Sequence, residues 1–229
     1  MKYSSVMIAS LLSMTGFVHA SGMVPATSAL LVNEADGGAS ISVKNTDAKA
    51  ALLYTTVKEV DEKDKSSVRL IATQPISRLE AGQTQKVRFV LNTTAPLTVE
   101  HYKRVSFEGI PQTKAPGKMQ ITATIRQTLP VIIHPKGLAV STEPWTKLEW
   151  AVSGKKVTVK NPSPYVVRLS SEVTMMPSKA AGKLPKTWIL PGETLQIDLN
   201  SASSDKQLQI SPVSRFGLDA GVYTANVKS

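Results

Sequence analysis

His101 and His134 are the side chains best suited to proton transfer or metal binding, and no carboxylate is spaced to complete a site with either. Ser153-Gly-Lys-Lys156 has the serine-x-x-lysine spacing of serine acylating enzymes. The companion motifs are missing, and Ser153-Gly154 reads better as a hairpin turn. Gly-rich phosphate loops are absent, and Asn92-Thr-Thr94 fits a glycosylation acceptor, a tripeptide common by chance. The chain has no cysteine, which excludes zinc ribbons, thiol redox chemistry and cysteine nucleophiles. These residues build no catalytic constellation. The expectation is a protein that is not an enzyme and needs no cofactor or metal.

The pattern that promises activity is apolar. From Lys118 to Arg126 the residues alternate strictly, with Met119, Ile121, Ala123 and Ile125 on one face and Gln120, Thr122, Thr124 and Arg126 on the other. The stretch continues through Leu129-Pro-Val-Ile-Ile133, giving an extended segment of about 15 residues where five or six are usual. The last core strand of a sandwich is the plainer account of such a stripe. Its length, and the Pro116-Gly117 loop before it, point instead to an edge strand whose apolar face serves another protein.

The elements around it share that period of two. Ala39–Val43, Leu52–Val60, Arg69–Ala72, Gln83–Leu91 and Tyr102–Phe107 are short strands separated by turns. No segment sustains a helical stripe over three turns. The first half therefore reads as roughly seven strands of an immunoglobulin-type sandwich. The second half offers Trp145–Val152, Lys156–Lys160, Tyr165–Val173, Thr187–Leu190, Thr194–Leu199, Gln207–Ile210 and Val222–Val227. The fold class is all-β, as two immunoglobulin-like sandwich domains of residues 21–136 and 137–229. The boundary falls near His134-Pro-Lys-Gly137. Residues 1–20 have the tripartite pattern of a cleaved secretory signal: Met1-Lys2, an apolar run from Val6 to Val18, and Val18-His19-Ala20 before Ser21. No later run is long and apolar enough to cross a bilayer, so no stable membrane insertion is expected. The formal charge of +10 is scattered rather than massed, and aromatics are 5% of residues. Both argue against a nucleic-acid partner and weakly for acidic protein partners.

Four stretches, in order along the chain, resemble the PapD-like periplasmic pilus chaperones. They are Gln74-Pro-Ile-Ser-Arg-Leu-Glu-Ala-Gly-Gln-Thr-Gln-Lys-Val-Arg88, Tyr102-Lys-Arg-Val-Ser-Phe-Glu-Gly-Ile-Pro111, the alternating strand running into His134-Pro135, and Val159-Lys-Asn-Pro-Ser-Pro-Tyr165. The resemblance implies a boomerang of two immunoglobulin-like domains with a pilus or fimbrial subunit in the cleft. It also implies delivery of that subunit to an outer-membrane usher. Pilins of that system lack their last strand. The chaperone's long strand pairs the open edge, and Met119, Ile121, Ala123 and Ile125 point into the client's groove. The three larger side chains are worth roughly 5–9 kcal/mol of gross burial before ordering costs. The exposed stripe also suggests a self-capped homodimer when the chain is free.

The sequence departs from the family where members carry an arginine on the first strand and a lysine late in the donor strand, which clamp the client's terminal carboxylate. Those places hold Ala29 or Ser28, and Pro130, so the wording is similar to a divergent, archaic or alternative branch. Arg104 and Lys103 are the first substitutes, with Arg126 next, because a guanidinium pairs bidentately with a carboxylate. Glu108 with Arg215 is a possible pair fixing the domain angle. The rival from another class is a non-catalytic tandem immunoglobulin-like adhesin or fibre subunit, in which the long strand is ordinary core.

Overall fold

The computed structural model describes residues 22–60, 67–111 and 124–228. Met119, Ile121 and Ala123 lie outside the described residues, whereas Ile125 lies within them. In the first half the strands are β1 (Met23–Pro25), β2 (Leu30–Asn33), β3 (Gly38–Asn45), β4 (Ala51–Glu59), β5 (Arg69–Ala72), β6 (Ile76–Leu79), β7 (Thr84–Asn92), β8 (His101–Pro111) and β9 (Arg126–His134). They form one hydrogen-bonded path in the order β5-β7-β3-β2-β9-β8-β4-β6, with β1 added on β3. Alternation decides which side chains turn inward: Leu53 on β4, Val87 and Phe89 on β7, Val105 and Phe107 on β8, and Val131 and Ile133 on β9 meet in one core. Gly38 lets β3 press against β7, since a Cβ there would lie 2.1 Å from the carbonyl oxygen of Phe89.

The second half contains β10 (Glu149–Ser153), β11 (Lys156–Lys160), β12 (Val167–Met176), β13 (Ala181–Lys183), β14 (Trp188–Ile189), β15 (Thr194–Asp198), β16 (Gln207–Val213) and β17 (Tyr223–Lys228). Their order is β13-β12-β16-β17-β10-β11-β15, with β14 on β12, around a core that includes Trp150, Val159, Leu169 and Ile197. Two sandwich-like β units of immunoglobulin type, with no α-helix among the described residues, are the architecture. The strand expected from Trp145 begins only at Glu149, because Pro144–Lys147 forms a short 3-10 turn that buries Trp145.

One device holds a loop in each half. Buried Asn45 donates its side-chain amide to the carbonyls of Lys49, Leu79 and Glu80 and accepts from Asp47 N–H. Buried Asn161 does the same with Tyr165, Ile189, Leu190 and Ser163. Main-chain N–H groups of Gly82 and Gly192 return to the carbonyls of these asparagines at 2.9 and 2.7 Å. The Asn-Pro-Ser-Pro-Tyr motif is therefore a satisfied buried amide that shapes a corner.

Candidate functional site

β9 pairs with β8 along nearly its whole length, from Glu108↔Arg126 to His101↔Ile133. On its other side β2 covers only Val131–His134. Among the described strands none pairs with Arg126–Pro130 on that side. This open edge is continuous with the exposed side chain of Ile125, behind which Gly22 sits, its Cβ position 3.6 Å from that of Ile125. Such an edge invites a further strand unless something covers it.

Antiparallel register sets out what flanks the edge. Residues directly opposite share a face, so Lys58, Arg104 and Pro130 form one row across β4, β8 and β9, and Thr56, Ser106 and Thr128 the next. Ser106 and Thr128 hydroxyls are 2.9 Å apart. These rows floor a pocket of about 380 Å³ lined by Lys58, Glu59, Val60, Arg104, Ser106, Arg126, Thr128 and, from β14 of the second half, Trp188. Trp188 stacks on Tyr102 with ring centroids 5.4 Å apart, and the Arg104 guanidinium lies 5.9 Å from the indole centroid.

Of the proposed anchors, Arg104 stands in this pocket and pairs with no described acidic side chain. It sits directly across from Pro130, where the resemblance leads one to expect a lysine. Neighbouring Lys58 is likewise without a described acidic partner, so two like charges face each other across β4 and β8, an unfavourable arrangement without an anion. Arg126 also lines the pocket, but its guanidinium is held by Glu108 at 2.6 and 2.8 Å. Lys103 is a correction. It falls on the core face of β8 with Val105 and Phe107, is 1% exposed, and its ammonium is tied to both oxygens of Glu59. Turning it to the cleft would break this ion pair and pull a side chain out of the core face. Ala29 and Pro130 are both buried.

The expected Glu108–Arg215 pair is also corrected, since Glu108 is occupied by Arg126 and Arg215 turns to a different carboxylate. That carboxylate is Glu100, buried where the two halves meet. Its Oε1 lies 2.8 Å from His134 Nδ1 and 3.9 Å from Arg215 Nη2, and its Oε2 accepts Val166 N–H at 2.9 Å. The Glu100 N–H donates to Pro164 O at 2.8 Å, and His134 Nε2 lies 2.9 Å from Leu138 O. Beside this knot Tyr102, Ile132 and Val166 form a small apolar cluster. Burial raises the Tyr102 phenol above its ordinary value, while the Arg168 and Arg104 guanidinia pull the other way. Lys58, Trp188 and Glu100 were not legible as site residues. Lys58 needs the strand register, and the other two need the docking of one half on the other.

The chain matches the family model described as "Pili and flagellar-assembly chaperone, PapD N-terminal domain" over residues 22–139, and "Pili assembly chaperone PapD, C-terminal domain" over residues 143–221. It is 46% identical over 209 residues to the "Uncharacterized fimbrial chaperone YhcA" of Escherichia coli, covering 91% of this chain and 92% of that protein. It is 25% identical over 182 residues to "Chaperone protein caf1M" of Yersinia pestis, covering 71% and 68%. Among solved structures, one from Salmonella enterica, of the SafA pilin in complex with the SafB chaperone, matches with a TM-score of 0.72 at 21% identity, covering 89% of this chain and 95% of the matched one.

Proposed function

Because the chain belongs to the PapD-like family of pili-assembly chaperones, we propose that it holds pilus subunits by lending each a β-strand and hands them to an outer-membrane usher. It works in the periplasm after removal of residues 1–20. Residues 21–136 form the donor domain and 137–229 its partner. The observation that carries the reading is the edge at Arg126–Pro130, which no described strand pairs on the side away from β8 and which is continuous with Ile125. An unfinished sheet in a subunit is completed by backbone hydrogen bonds to that edge, and its groove is filled by Met119, Ile121, Ala123 and Ile125.

Arg104, with Lys58 beside it, holds the subunit's terminal carboxylate. What supports this is the pocket at the end of the open edge and the absence of a described acidic partner for either cation. Arg126 contributes only by releasing Glu108. The reading assigns no catalytic step, cofactor or metal. A free chain hides the same edge by pairing with a second copy, so sedimentation at rising concentration is expected to show dimers. A fibre-subunit role is not favoured by the family.

The test is co-expression with the pilin subunits encoded beside the chain. A one-to-one complex is expected from the periplasm, and Ile125→Asp or Ile121→Asp should abolish it while the chaperone stays folded. A complex indifferent to both changes contradicts strand donation.

A further inference from the structure

The loop between β16 and β17 lies outside the pocket, none of whose lining residues it supplies. Its tip is a hydrogen-bonded turn: Gly217 N–H donates to Ser214 O at 2.9 Å, Ser214 N–H to Leu218 O at 2.8 Å, and Leu218 N–H to Ser214 Oγ at 3.2 Å. Gly217 takes a φ of +85, which a side chain would strain, and a Cβ there would lie 3.0 Å from Ser28 Oγ. Two contacts tie the loop to the first half. Ser28 Oγ donates to Phe216 O at 2.7 Å, and Arg215 reaches Glu100 at 3.9 Å. Within this ordered loop Phe216, Leu218 and Val222 are 59%, 64% and 69% exposed. Three large apolar side chains held in water on a tethered turn make a surface for a partner.

Its place in the fold says which partner. Ser28 lies just before Leu30, the first residue of β2 to pair with β9. The loop therefore sits where pairing on that side of β9 stops and the open edge at Arg126–Pro130 begins. Through the Ser28 hydroxyl the main chain at Phe216 is tied next to that point. We infer that the Ser214–Val222 loop is a second docking surface, on the second domain, for an apolar patch of the same pilus subunit beside its inserted strand. The inference rests on the strand-donation reading. It adds that the subunit is gripped by both domains, so its hold depends on the joint at Glu100.

The experiment uses the one-to-one complex of the full chain with a co-expressed pilin subunit, challenged with excess untagged chaperone. The double variant F216S/L218S should release its subunit at least about tenfold faster than the unchanged chain, as expected for losing two buried apolar contacts. A photo-crosslinking amino acid at Val222, in a chain otherwise unchanged, should attach to the subunit, which keeps the test independent of folding in the double variant. Equal release rates with no crosslink to the subunit overturn the inference, and so does a crosslink only to a second copy of the chain. If the unchanged chain forms no complex, or one indifferent to Ile125→Asp, the strand-donation reading itself has failed and the inference falls with it. An Ile125-sensitive complex that ignores the loop defeats the loop alone.

Discussion

From Val131 to His134, β9 has a strand on each side, β8 and β2; from Arg126 to Pro130, β8 is the only strand paired with it among the described residues. The first of these stretches is buried on both faces. Val131 and Ile133 enter the core of the first half, while Ile132 and His134 face the joint with the second. The other begins with exposed Arg126 and Thr128 and the half-buried Gln127 between them. One strand thus has an anchored end and an offered end. The comparison teaches that an edge can be offered without loosening the fold only if its other end is locked by packing that does not depend on the guest.

Substitutions at the two ends should separate most sharply. Ile133→Asp places a charge in the core and should cost more than about 4 kcal/mol, read as loss of the folded state in urea titration. Ile125→Asp, at a position 43% exposed, should change stability by less than about 0.5 kcal/mol and abolish subunit binding. Equal destabilisation at both positions would erase the distinction. Next in size, Glu100→Ala removes the carboxylate that Val166 N–H, His134 and Arg215 share. About 3 kcal/mol should be lost in denaturant unfolding, together with a wider spread of domain angles in X-ray scattering.

At the pocket beside the offered end, Arg104→Ala should weaken subunit binding about tenfold and leave the unfolding midpoint unchanged, as measured by titration calorimetry and thermal unfolding. The smallest effect is alkaline. Burial raises the Tyr102 phenol, so its stabilising share is whole below the ordinary value of 10.0 and is lost as pH rises through the higher folded value. Unfolding free energy measured from pH 9 upward should fall, and Tyr102→Phe should remove part of that fall.

Much of this was legible in the residues. Period-two alternation located β3 and β7, because a half-buried strand must alternate, while β-branched and apolar content located β4 and an unbroken apolar run located the core half of β9, which is buried on both faces. The three-residue β1 and β13 carried too little pattern to be seen, and β2 lacks alternation because Leu31 packs toward the joint while Leu30 and Val32 face the core. The paired asparagine corners were hidden since Asn and Gly are the main residues the two loops share. Charge roles failed for a single reason. Sequence names a lysine or arginine but not its face, and one position of register separates buried Lys103 from Arg104 in the pocket. Glu100 escaped notice because its partners come from His134, Val166 and Arg215, which only the docking of the two halves brings together.

Backbone amide hydrogen exchange across residues 124–134, measured in the free chain and in its one-to-one complex with a pilin subunit, tests strand donation most directly. Those amides of residues 124–129 that point away from β8 should exchange quickly when free and slowly in the complex, while those of Val131–His134 stay slow in both. A stable complex in which these amides of residues 124–129 gain no protection would contradict the account.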